Sequence, residues 1–536
     1  MTLDKYILPL FLAFAASFFS LSASADLNPL KALGDVFGRA KASESEKLHD
    51  VIPSPVRPTY AGNRTGTSGN SLAQRSVVYE GYTKEMLPIK ELIASGKLQD
   101  AINKMKERYP DPVKYDILTN LELGTMLLDA TDAPEAQKRF ADAERGKVEQ
   151  KDTGVISGLF SSVAQRTVTL ASGNDELSDY DGPGFERVLM LNYKSISYML
   201  EGERKAYNVT RRAIDLQNIE KKEFDAKVRK AEEEIKEKER ESQKKGVELN
   251  DTDLDRVLNE QYSRTDKLAN KLPSAFVNPF GFYIAGIVQE FDSYVDKSLR
   301  GNARISYQKA LELNPDSAVI KQAVKESSKP VVKDRRLVHV VVGDGFAPEK
   351  KLLKFHISVG GKLDTNIELP LYEPVLNQVD RIEVQTTTGK RWARLSEVAD
   401  ITSLALRYQK DASSLAKLSM MATVVRNVVE SAALGSVSTK SSGLNSLLSV
   451  VKQKRDEMVH PDMRSWSTLP SRLLAARFYV PKSVSRIKLV VYGKNNRVLS
   501  SQVIDIDKES HNFVYARTLD STLYVAASKK MWMGLR

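Results

Sequence analysis

The sequence predicts an α+β multidomain chain: an N-terminal α-helical repeat region carrying a charged helical hairpin, then a C-terminal β-rich, sandwich-like domain with a helical insertion. Three observations predict it. Small and large apolar residues recur at helical offsets between residues 77 and 325. From Leu337 onward the apolar period changes to two. The chain has 536 residues, too many for one ordinary domain. Its composition, 41% hydrophobic and 28% charged, is globular rather than disordered. The expected divisions are 1–25, a signal peptide; 26–76, a flexible N-terminal segment; 77–325, the helical repeats, with the hairpin at about 219–272; and 337–525, the β-rich domain, with its insertion at about 395–460.

Residues 1–25 carry Lys5 behind the amino terminus and an apolar run from Ile7 to Leu21, too short for a comfortable bilayer span. Ala23 and Ala25 offer small side chains where a signal peptidase reads, so cleavage is expected after Ala25 and export to the periplasm or beyond. Pro53, Pro55 and Pro58, then Gly62, Gly66 and Gly69, predict an extended linker. The chain has no cysteine, which excludes disulfides, thiolate metal sites, a cysteine nucleophile and the lipidated cysteine of a lipoprotein. The net charge of +11 is accounted for by solubility alone and is also compatible with weak association with an anionic membrane surface or cell-wall polymer, and no nucleic-acid partner is expected.

Helices are predicted at Tyr79–Ala94 and Lys97–Arg108, parted by Ser95-Gly96. A sharper pattern follows. Leu123, Gly124 and Leu127 lie on one helix; Ala136, Phe140 and Ala143 lie on the next, after an Asp129–Pro134 turn. A small residue where helices cross lets the backbones approach, and a large one fills the groove beside it. These offsets are those of a tetratricopeptide repeat. A weaker second unit has a first helix at about Glu186–Leu200, a turn at Gly202, and Ala206, Thr210 and Ala213. A third has Ala303, Tyr307, Ala310 and Pro315, behind a helix at about Phe280–Tyr294. Between them, Ile219–Lys245 and Val247–Leu272 predict a charged hairpin turning near Gly246–Asp251, with i,i+4 ion pairs and a thin seam of Phe224, Val228, Ala231 and Ile235.

Strands are expected at Leu337–Val342, Leu353–Val359, Asn366–Leu369 and Arg381–Thr386. Helices at about Leu395–Leu434 and Leu444–Met458, parted by a Gly435–Gly443 linker, interrupt them. Strands resume at Leu474–Val480, Arg486–Tyr492, Val498–Ile506 and Asn512–Ala516, with a hairpin turn at Lys494-Asn495-Asn496.

No catalytic constellation is visible, and no catalytic, cofactor-binding or metal-ligating residue is assigned. None of the five histidines makes an i,i+4 pair; His339 and His356 become neighbours only if their strands pair. Gly343-Asp344-Gly345 lacks the third glycine of a dinucleotide fingerprint and is expected as a turn. Asp462, Arg464 and Trp466 form a dense polar–aromatic cluster, expected to hold the insertion against the β-domain or to line a groove. The apolar stripe Leu418, Met421, Val424, Val425 and Val428 suits a helix covering the sheet.

Several stretches resemble a family of exported bacterial tetratricopeptide-repeat envelope proteins, many of them lipoproteins. The stretches are Leu118–Glu144, Leu177–Ala213, Asn278–Glu290, Asp344–Lys351, Glu368–Pro374 and Asp462–Pro470, in order over most of the chain. The resemblance implies a repeat-plus-β envelope protein with no established activity, so no catalytic residue carries over. Lacking cysteine, this chain departs from the lipoprotein members.

The expected function is therefore a non-enzymatic scaffold or adaptor binding segments of other envelope proteins on the inner helices, where Asn120, Leu127, Asn192 and Tyr193 are the candidates for contact. The alternatives are a structural component of an envelope or secretion assembly, docking through the charged hairpin and the β-domain, and an enzyme or binder acting on cell-wall polymer, with Asp462 and Glu373 as candidate carboxylates.

Overall fold

A computed structural model of the chain describes residues 76–108, 115–155, 180, 182–244, 251–329, 332, 334–359, 363–376, 378–421 and 461–531. The predicted signal peptide, nearly all of the linker, most of the hairpin turn and the insertion helices beyond residue 421 lie outside the described residues.

The described residues form a mixed α/β structure with three sheets. The first helices are α1 (Gly81–Ala94) and α2 (Leu98–Arg108), close to their predicted bounds. Helix α3 (Ile117–Asp129) starts where Asp116 accepts the Thr119 amide at 2.7 Å, and α4 (Ala133–Val155) starts where Asp132 accepts the Glu135 amide at 3.2 Å. A methyl group on Gly124 of α3 would sit 2.7 Å from the Phe140 ring of α4, so only glycine allows this crossing. Helix α5 (Gly184–Leu200) is followed by α6 (Ala206–Lys244), which runs 39 residues without a break. The Ala206–Ala213 segment and the first arm of the charged hairpin are thus one helix. No proline or glycine separates them.

The second arm is α7 (Asp251–Ser263) with the short α8 (Asp266–Ala269). Then come α9 (Pro279–Asp292), capped by Asn278 on the Phe280 amide at 2.9 Å, α10 (Arg300–Leu313) and α11 (Ala318–Ser327). Tyr307 of α10 packs on Gly286 of α9 in the same small-against-large manner.

Twelve strands are described. A five-stranded sheet has the order β12 (Thr522–Ala527), β11 (Asn512–Leu519), β2 (Arg335–Asp344), β8 (Arg472–Pro481), β7 (Ser396–Asp400), with β11 and β2 parallel. A four-stranded sheet has the order β10 (Val498–Asp505), β9 (Arg486–Gly493), β5 (Val379–Gln385), β6 (Arg391–Arg394). These two sheets share one apolar core, with Val338, Val340 and Val342 meeting Ile382, Leu489 and Val491. The third sheet adds β1 (Ser76–Val78) to the hairpin of β3 (Glu349–Val359) and β4 (Leu363–Glu373). Asn495 and Asn496 both take positive φ, 58° and 59°, in the hairpin turn predicted there.

The insertion begins later than its sequence suggests. Residues Ser396–Asp400 pair with β8 as β7, and helix α12 (Ile401–Asp411) starts only after Asp400, whose side chain accepts the Ser403 amide at 2.9 Å. After a turn at Ala412, residues 413–421 are helical again. No helix among the described residues is long and apolar enough to cross a membrane.

The seam of the charged hairpin is buried within the chain. Ala231 and Ile235 of α6 meet Leu254 and Leu258 of α7 and the apolar face of the β3–β4 hairpin, while Phe224 packs on Phe276. The five-stranded sheet turns its second face toward the helices, so helices and sheets enclose interior side chains together.

Candidate binding cleft

A cleft of about 360 Å³ opens between α6, the β3–β4 hairpin, and α12 with its continuation. One wall is a single face of α6, where Phe224, Lys227, Lys230, Ala231 and Glu234 recur at helical spacing. Opposite stand Tyr408 of α12 and Leu415. Leu369 and Tyr372 of β4 close it from below. Phe224, Phe276 and Tyr408 form an aromatic cluster, with centroids 4.8 Å apart for Phe224–Phe276 and 5.3 Å for Phe224–Tyr408. Glycine at 184 admits this cluster, because a methyl group there would come within 2.5 Å of the Phe276 ring.

The deep end is built by the first turn of α5. Gly182 takes φ +64°, which carries the chain back so that Tyr180 lines the cleft. Arg187 holds the Gly182 carbonyl at 2.8 Å and pairs with Glu220 of α6 at 2.6 Å. Next to it, buried Glu186 accepts the Tyr180 hydroxyl and, at 3.2 Å, the Trp466 amide. Burial pushes the Glu186 carboxyl up to about 7, against the pull of those two hydrogen bonds and of Lys350.

The predicted Asp462–Arg464 pair is present. The Asp462 carboxylate takes the Arg464 amide at 2.8 Å and its guanidinium at two points, each 3.0 Å away. Lys350 donates to the carbonyls of Asp462 and Arg464 at 3.1 and 2.7 Å. Burial disfavours ionising Asp462, but Lys350 and Arg464 outweigh it and hold the carboxyl below its ordinary value. Arg464 lies over the Tyr180 ring, 5.5 Å from its centroid, rather than over Trp466. Trp466 points into the core. Its indole donates to Thr125 at 2.9 Å and packs near Tyr193 and Phe140. Within one short segment, then, Asp462 lines the cleft and Trp466 anchors the segment to the helices.

The anchoring is reinforced by Glu122 of α3, which accepts the Ser467 and Thr468 amides at 2.7 and 2.9 Å and the Tyr82 hydroxyl at 3.0 Å. This segment and β11 pack over α3 and α5. Tyr193 is fully buried, 6.2 Å from Tyr515 of β11. Asn192 and Leu127 are buried as well, and Asn120 binds the carbonyls of Tyr115 and Asp116 at the start of α3. The four candidates for partner contact therefore sit inside the molecule. Glu373 ends β4, and the Asp462 carboxylate is paired with Arg464.

His339 and His356 are not neighbours. Strand β2 pairs with β11 and β8, whereas β3 pairs with β1 and β4. His339 instead meets Glu290 of α9 at 3.1 Å. Among the described residues no group of three or more side chains is arranged to hold a metal ion. Sequence reasoning missed Glu122, Glu186 and Tyr180. The signal available was an acidic residue inside an otherwise apolar helical face, as in the runs around Leu121–Leu123 and Phe185–Leu189.

No protein-family model, curated protein or solved structure matches this chain.

Proposed function

We propose that this chain is an exported, non-enzymatic interaction scaffold of the bacterial cell envelope, built on tetratricopeptide-like helix pairs, and that it receives a segment of a partner protein in the cleft beside α6. The carrying observation is the cleft itself: an aromatic and aliphatic lining edged by Lys227, Lys230 and Glu234. An apolar floor with a charged rim suits an amphipathic segment, whose apolar side chains anchor it while the rim sets its orientation. The inner helices, where repeat proteins of this kind take ligands, are covered by residues 465–468 and β11. The cleft replaces them as the binding element. Export is supported by the leader sequence Ile7–Ala25, and the helix pairing by the Gly124–Phe140 and Gly286–Tyr307 contacts.

Photocrosslinking in cells tests this. A photoreactive benzoylphenylalanine replaces Leu415 in the cleft, with Val503 on exposed strand β10 as the reference position. A discrete envelope-protein adduct from position 415, absent from 503 and weakened by Lys227→Glu/Lys230→Glu, is expected. Adducts from both positions would favour a structural component of a larger assembly. No protein adduct from 415, with cell-wall glycan retained on the column, would favour the polymer-binding alternative.

A further inference from the structure

Both long walls of the cleft are helix faces. On α6 the lining residues Phe224, Lys227, Ala231 and Glu234 recur at intervals of three, four and three. Across from them Tyr408, Ala412, Leu415 and Ser419, on α12 and its helical continuation, recur at intervals of four, three and four. The lining of α6 runs from Glu220 to Glu234, about 21 Å at the rise of an α-helix. The space between the walls, about 360 Å³, is at the small end of ligand-sized pockets. It takes a few side chains and leaves a partner's main chain above them.

The floor decides against an extended segment that would add to the sheet along β4. Strand β4 is an outer strand of its sheet. In its pairing with β3, Pro370 stands opposite Leu352 and Tyr372 opposite Lys350. The Tyr372 amide turns away from β3 and donates to the Gln409 side chain of α12 at 2.6 Å. Positions two apart on an antiparallel strand point the same way, so position 370 also faces the outer edge, and proline has no amide hydrogen to offer there. One edge donor is absent and the next is taken. The part of β4 under the cleft therefore cannot donate to an added strand without breaking the Gln409 bond.

The rim sets the charge. Glu220 is bound by Arg187, and Asp462 by Arg464. The middle of the α6 wall carries Lys227 and Lys230. Lys230, with 45% of its side chain exposed, reaches Glu234 at 3.7 Å, a solvent-screened pair that a ligand carboxylate replaces at little cost.

Resting on the cleft as the binding element, we propose that its occupant is an acidic amphipathic α-helix of about four turns from a partner protein, held by side chains rather than by main-chain hydrogen bonds to β4. Apolar side chains one and two turns apart enter the cleft, and carboxylates beside them face Lys227 and Lys230.

The test places a diazirine-bearing lysine in the full chain, in cells, at position 227 or at position 234. The two positions are two turns apart on the uninterrupted α6, about 10 Å along its axis. Peptide mapping of the two adducts then reads the rise of the partner. A helix laid along α6 should be attached at residues about seven apart, an extended strand at residues about three apart. The attached segment should carry Asp or Glu within one turn of its apolar anchors. In a fluorescence-anisotropy titration of the purified full chain, a synthetic peptide of that segment with proline at its centre should bind at least about tenfold more weakly than the unaltered peptide. Attachment sites about three residues apart, a proline peptide of equal affinity, or a segment without acidic residues overturns the acidic helix and leaves the cleft reading in place. No protein adduct from either position, or adducts only to this chain itself, overturns the cleft reading and the helix with it.

Discussion

Two arginines on one face of the five-stranded sheet are equally buried and oppositely served. Arg477 on β8 is 1% exposed and Arg517 on β11 is 1% exposed. Register places Arg477 opposite His339, which lies opposite Phe513, so Arg517, four residues along, faces the helices too. Arg477 binds Glu290 at 2.5 and 3.1 Å, pairs with Glu326, and meets the Tyr479 hydroxyl at 3.1 Å. Glu290 also takes the Tyr307 hydroxyl at 2.8 Å and His339 at 3.1 Å. Burial alone would favour the neutral acid, yet Arg477 and His339 outweigh it and hold Glu290 far below the carboxylate range. None of the three guanidinium nitrogens of Arg517 has a hydrogen-bond partner among the described residues. Its guanidinium carbon lies 5.2 Å from the centroid of the Phe346 ring, and Asp129, which feels its charge, is bonded to Tyr515 instead, at 3.1 Å. Burial of a charge therefore says little by itself. What matters is whether the partners are buried with it.

The largest effect should come from Arg477→Met. It strands Glu290 without its cation and should lower unfolding free energy by about 3–5 kcal/mol in urea titration. Adding Glu290→Gln should recover much of that loss, because the stranded charge goes with it. A loss under about 1 kcal/mol would mean that the network holds the fold no better than apolar packing does.

The same contrast extends to carboxylates. Glu290 has a cation, whereas Glu186 has only neutral donors, so their pH effects have opposite signs. The folded-state value of Glu186, about 7, is above that of the unfolded chain, near 4.5. Between those values the folded state binds more protons, so this group's contribution to stability falls as pH rises from 4.5 to 7. Glu290, held low, contributes stability that is lost on acidification through and below its unfolded value. Comparing parent and Glu186→Gln in urea from pH 5 to pH 8 should therefore show the parent losing on the order of 3 kcal/mol relative to the variant as pH rises. A constant difference would place the Glu186 titration outside this window.

Arg517→Met should give the smallest change, within about 1 kcal/mol of the parent or more stable, since no hydrogen bond is broken and a desolvated charge is removed. A loss comparable to that of Arg477→Met would erase the comparison and show that Arg517 has partners as strong as those of Arg477.

Much of the architecture was legible in sequence because its determinants are local. The offsets of Gly124 and Phe140 foretold a close crossing, and the two met across it. Most strand positions followed from period-two patterning, within a few residues. The missed elements depend on distant partners. Ser396–Asp400 is a strand because β8 lies beside it, and β12 exists because β11 offers an edge. The candidate site was legible only in its Asp462–Arg464 pair, whose members are two residues apart. Glu186 and Trp466 are 280 residues apart, and nothing local announces their contact.

By itself the sequence determined the class of most segments, the turn at Asn495-Asn496 and the helix starts at Asp116 and Asn278, since these depend on backbone sterics and on side chains a few bonds away. Only the tertiary structure decided that the facing sides of α3 and α5 are covered, that the open cleft lies beside α6, and which buried charges have partners. Those outcomes depend on desolvation and on partners brought together from remote parts of the chain, and neither is encoded in any short window of residues.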